Sequence, residues 1–82
     1  MITYDYSKLR GLIKEKIGTE GAFAKMLGRT HNFVSNVFNG STYFSQSDIE
    51  KAVEILGIKP EDIGVYFFKK KVHDTELSEV TE

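Results

Sequence analysis

Gly28 stands between two short apolar patterns, and this pairing limits the fold more than any other feature of the chain. The stretch from Thr19 to Gly40 reads TEGAFAKMLGRTHNFVSNVFNG. Phe23, Ala24 and Leu27 make the stripe of one helix, Gly28 occupies the position where a helix ends in a left-handed residue, and Thr30 caps the next helix. At ~100° per residue, Phe33, Val34, Val37 and Phe38 of that second helix fall on one arc. His31, Asn32, Ser35, Asn36 and Asn39 fall on the other. Helix, glycine turn, helix is therefore the expected centre of the molecule, with one face packed and one face polar but uncharged.

Spacing adds detail. Ala24 is small where the second helix has to cross, Gly28 accepts a positive φ, and Val34 and Val37 lock the second helix onto the first. With Asn39-Gly40 and the helices expected on either side, this spacing resembles the helix-turn-helix of the lambda repressor and Cro (Xre) family over roughly residues 6 to 66. Small phage-encoded Cro-like regulators look most similar, on Tyr4 to Leu9, Gln46, Ile49 to Ala52 and Tyr66 to Phe68. The resemblance implies an all-α, five-helix, lambda-repressor-like DNA-binding domain. It also implies base contacts from His31, Asn32, Phe33, Ser35 and Asn36, since Asn can pair with adenine, His can donate to guanine, and a phenyl edge can rest on a thymine methyl. Phosphate contacts would come from Arg10, Thr19, Arg29, Thr30, Asn39, Ser41, Thr42 and Tyr43. Two positions depart from the family's pattern. Glu20 stands where glutamine is usual, so it would repel a phosphate unless a neighbour pairs with it. Arg29 follows the turn glycine where a small aliphatic residue is usual, and could meet a phosphate or point into water.

Composition narrows the function. Eighty-two residues suit one small domain without a separate sensor domain. The chain has no cysteine, and hence neither a disulfide nor a thiolate metal site; a cytoplasmic setting is the natural expectation. Neither a leader-like start nor a run of ~20 apolar residues is present, so no membrane association is expected. An enzyme would need parts that are missing: there is no glycine-rich phosphate loop and no histidine pair at ligand spacing. No cofactor and no metal is expected.

The formal net charge of −1 hides a division. Residues 1–72 hold all 11 Lys and Arg against 8 Asp and Glu, about +3, whereas residues 73–82 hold four acids and no Lys or Arg. No Lys or Arg lies between Arg29 and Lys51, which weakens the electrostatic part of any DNA affinity and makes two copies on one site the expected arrangement.

Along the chain, Asp5 caps a first helix carrying Leu9, Leu12, Ile13 and Ile17, which Gly18 ends. Ser45 to Asp48 and Ser47 to Glu50 both have capping-box spacing, and a helix follows to Leu56, ended by Gly57. Pro60 opens a fifth helix with Ile63 and Phe67 as core contacts. The run Val65 to Val72 suits either a helix end or a short strand, and its aromatics are candidate homodimer contacts: Tyr66, Phe67, Phe68 and Val72. Its three lysines could instead serve a DNA backbone. Residues 1–72 are thus read as the helix-turn-helix domain with its extension, and 73–82 as an acidic, disordered tail.

Two functions fit. The first is a sequence-specific transcriptional regulator that binds a two-fold operator in double-stranded DNA as a homodimer. The alternative is a helix-turn-helix scaffold that works by binding a protein, such as an antirepressor masking another phage repressor. The near-neutral charge and the surplus of aromatics favour the alternative; the polar arc favours the first.

Overall fold

Local signals set most of the helix limits. In the computed structural model, which describes residues 3–71, α1 (Ser7–Lys16), α2 (Glu20–Leu27), α3 (His31–Phe38), α4 (Gln46–Leu56) and α5 (Ile63–Phe67) follow one another. The fold is all-α with five helices, and the described residues contain no strand beyond a single bridge. Thr19 and Thr30 cap α2 and α3 by accepting hydrogen bonds from the Ala22 and Phe33 N–H groups at 3.1 and 3.0 Å. Of the two possible boxes at α4, Ser45 and Asp48 form the one that exists: each side chain accepts a bond from the other's backbone N–H. Asp5 also acts at a helix start, where its carboxylate accepts from the Ser7 N–H and hydroxyl, although the N-cap position itself falls on Tyr6.

The fifth helix departs from expectation in its onset. Pro60–Asp62 form a tighter 3₁₀ turn, and the α-helix proper occupies only Ile63–Phe67. Proline suits the first turn because it has no N–H to leave unsatisfied.

One core gathers all five helices. Leu9 and Ile13 of α1, Phe23, Ala24 and Leu27 of α2, Val34 and Val37 of α3, Ala52 and Leu56 of α4, and Phe67 of α5 are fully buried. Burying a side chain of Val, Leu or Phe size contributes about 1.5–3 kcal/mol each, so this set dominates stability. Phe44, in the loop after α3, is the hub of the aromatics: its ring meets Tyr6, Phe33, Phe38 and Phe67 at centroid distances of 6.1, 6.2, 6.1 and 6.0 Å. The aromatic surplus is thus largely internal.

The segment after α5 pairs with the start of the same chain. Asp5 N–H donates to Lys69 O at 2.6 Å, Lys71 N–H donates to Thr3 O at 3.0 Å, and Tyr4 bridges Lys70 in the antiparallel sense. Both sequence alternatives for this stretch are therefore present in turn, a helix end and then an extended piece. Val72 and the acidic segment 73–82 lie outside the described residues. Among the described residues no helix is long and apolar enough to cross a membrane.

Candidate functional site

The α2–α3 corner is built by Gly28. Its φ of +82° lets the chain reverse, with Gly28 N–H donating to Lys25 O at 3.1 Å and Arg29 N–H to Ala24 O at 2.9 Å. Ala24, 1 % exposed, is a small residue buried in the core on α2. With Val34 and Val37 turned inward, the opposite arc of α3 has to face out. His31, Asn32, Asn36 and Asn39 are exposed, and Ser35 is partly buried. A Cβ added at Gly21 would come within 3.9 Å of His31 Nδ1, so the imidazole sits beside the beginning of α2.

The arginines on either flank of α3 are each paired with a carboxylate, although their side chains remain 53% (Arg10) and 40% (Arg29) exposed. The Arg29 guanidinium grips Asp48 of α4 with two bonds, Nε to Oδ1 at 3.0 Å and Nη2 to Oδ2 at 2.9 Å, and lies 4.0 Å from the centre of the Phe33 ring. This bidentate bond holds the Asp48 carboxyl down to about 2, opposed by burial and assisted by the Ser45 capping bonds. The same bond raises the Arg29 pKa. On the other flank, Arg10 Nε bonds Glu20 Oε2 at 2.8 Å, and its guanidinium lies 5.2 Å from the Phe38 ring centre. The neighbour that Glu20 requires is thus Arg10.

The remaining expected contact residues divide by what already occupies them. The Thr19 and Thr30 hydroxyls act as caps. Ser41 is exposed, with its N–H bonded to Asn36 O at 2.9 Å; Thr42 is partly buried; Tyr43 is exposed and meets Tyr4 edge to face at 5.8 Å. Phe33, expected at a base edge, is partly buried between Arg29 and Phe44.

Of the candidate dimer contacts, Phe67 is 1 % exposed within the core, and Tyr66 is partly buried with Lys8 Nζ 5.7 Å from its ring centre. Phe68 is 49 % exposed with one edge against Tyr4. The structure thus brings together His31, Asn32, Ser35, Asn36 and Asn39 as one surface, buries Phe67 in the core, and leaves Phe68 of the expected dimer contacts exposed at the terminal edge.

Sequence reasoning missed Asp48 as the partner of Arg29. No local pattern marks this pair, because Arg29 and Asp48 lie 19 residues apart on different elements. Chemically, the α3 surface offers amides, a hydroxyl and an imidazole, with no Asp, Glu, Lys or Arg, able to bond either base edges or the polar groups of a protein.

Two short helices joined by a glycine turn and closed by three further helices form a small all-α domain. The chain belongs to the family described as Protein of unknown function (DUF739), whose model matches residues 2–70. Among solved structures, it is similar to the solution structure of the modulator of repression of the temperate bacteriophage TP901-1 from Lactococcus lactis, at 44% identity and a TM-score of 0.71. The match covers 87% of this chain and 96% of that one. No curated protein matches. These findings correct the assignment to the lambda repressor and Cro family: neither the family model nor the structural relative is a member identified as such. The physical reason is that an Ala, Gly and Val spacing reports two helices crossing closely, a requirement of packing that other all-α families can share.

Proposed function

We propose that this chain is a phage regulatory protein that acts by binding a protein, a repressor, through the exposed α2–α3 face. The observation that carries this reading is the near full-length similarity, at 44% identity, to a modulator of repression. The site supports it physically. The outer arc of α3 carries amides, a hydroxyl and an imidazole with no Asp, Glu, Lys or Arg, the two flanking arginines are already matched by carboxylates, and Met26 of α2, 56 % exposed, adds an apolar anchor of the adaptable kind used at protein interfaces. Binding there would cover the groups of a repressor that otherwise meet DNA, or would fix them in an altered arrangement.

A second reading, sequence-specific DNA binding by this chain as a homodimer, is favoured by one observation: Asn32, Asn36 and His31 are all exposed on one helix face, where base edges could be met. A fluorescence anisotropy titration of the promoter duplex beside the chain's own gene separates the two. The protein-binding reading expects no specific binding by the chain alone at moderate salt, and a change in the duplex signal only when the partner repressor is supplied. Specific binding by the chain alone, with a two-fold footprint, would overturn it.

A further inference from the structure

The chain contains only two arginines, and each is paired in the same way. Arg10 is held by Glu20 and lies over Phe38; Arg29 is held by Asp48 and lies over Phe33. Phe33 and Phe38 belong to α3, so the two assemblies stand on its two flanks. We propose that Glu20 and Asp48 determine the class of partner: by tying down the arginines beside α3, they keep duplex DNA off the α2–α3 face and leave that face to a protein. This deepens the protein-binding reading above and rests on it.

DNA affinity comes largely from cations that replace counterions at phosphates. An arginine already bonded to a carboxylate brings no net charge to a phosphate, and has fewer free donors with which to grip it. At Arg29 the exclusion is geometric as well as electrostatic, because Nε and Nη2 both point at Asp48, whose side chain is only 7% exposed. Asp48 stays ionised at any physiological pH. At Arg10, a surface depression of ≈ 350 Å³ is lined by Arg10, Lys14 and Glu20, and Glu20 is the only carboxylate among its lining residues. Removing that one charge leaves two cations beside the start of α2. Lys25 of α2 and Lys51, whose Nζ lies 3.8 Å from where a Gly28 Cβ would stand, are exposed near the turn and are common to every variant compared below.

The test is the double variant Glu20→Gln/Asp48→Asn in the full chain. Both replacements keep an oxygen acceptor, and the amide oxygen introduced at position 48 can still accept the capping bond from the Ser45 N–H. The control, Glu54→Gln/Glu61→Gln, changes net charge equally on exposed positions of α4 and of the turn before α5. The probe is a fluorescent duplex of random sequence, titrated at about 50 and about 200 mM salt. The double variant is expected to bind at least about tenfold tighter than the unmodified chain at the lower salt, with a log–log salt slope steeper by about two. The control is expected to match the unmodified chain. Glu20→Gln alone, which leaves the α4 cap untouched, is expected to steepen the slope by about one, so a folding defect at Asp48 would not shelter the idea. Equal gains in the control and the double variant, or no gain in either Glu20→Gln or the double variant, overturn the proposal. Tight, specific binding of promoter DNA by the unmodified chain overturns the protein-binding reading instead, a result that the comparison between variants does not produce.

Discussion

The α2–α3 corner and the terminal edge are held together by opposite means. The corner is local: caps, turn and packing residues all lie between Thr19 and Phe38. The edge, where Thr3 to Asp5 meet Lys69 to Lys71, joins the two ends of the described chain by backbone bonds over half-exposed rings. A region determined by its own residues can present a defined surface, whereas a region determined by distant ones serves to close the core. The proposed recognition face therefore lies on the locally determined corner, and the edge closes the chain ends.

The largest effect is expected at Phe67. Its ring is buried against Phe44, so Phe67→Ala is expected to cost about 3–5 kcal/mol in denaturant unfolding. Phe68→Ala, one residue further along and half exposed, is expected to cost less than about 1 kcal/mol. Similar losses at both would make the edge a structural centre in its own right.

Asp48→Asn probes how the corner is fastened to α4. The expected cost at neutral pH is about 1–2 kcal/mol, kept below the full effect of the lowered pKa because Arg29 is 40% exposed. Because the folded carboxyl titrates near 2, below its ordinary value, its stabilisation is present above about pH 4 and is lost as pH falls through about 2. Parent and variant stabilities should therefore converge over that window. A difference that persists at the acid end would mean that packing, and not the ion pair, is what Asp48 supplies.

Smaller still is Thr30→Ala, expected to cost about 1 kcal/mol through loss of the α3 cap. Hydrogen exchange at the Phe33 amide should rise with it. An unchanged exchange rate would show that the inward valines alone hold the start of α3.

Much of the corner is readable from the chain alone, because its determinants are close together. Thr19, Gly28 and Thr30 mark helix ends, and the arcs of α3 follow from its period. What cannot be read are pairings between elements. Arg29 finds Asp48 on another helix, and Arg10 finds Glu20 across α1 and α2, contacts that depend on how helices are placed and not on any local pattern. The stretch after α5 is ambiguous for the same reason: three residues are too few to show a period, and their partner is the other end of the chain. The family is misread from sequence because packing constraints at Ala24 and Gly28 say that helices cross, and not which family crosses them.

If the exposed arc of α3 meets a protein, an amide chemical-shift titration of the labelled full chain shows it, first with promoter duplex and then with the phage repressor proposed as its partner. Shifts at His31, Asn32 and Asn36 are expected only when the repressor is added. Sequence-dependent shifts at those amides with duplex alone, or repressor-induced shifts confined to the Tyr4, Phe68 edge, would contradict it.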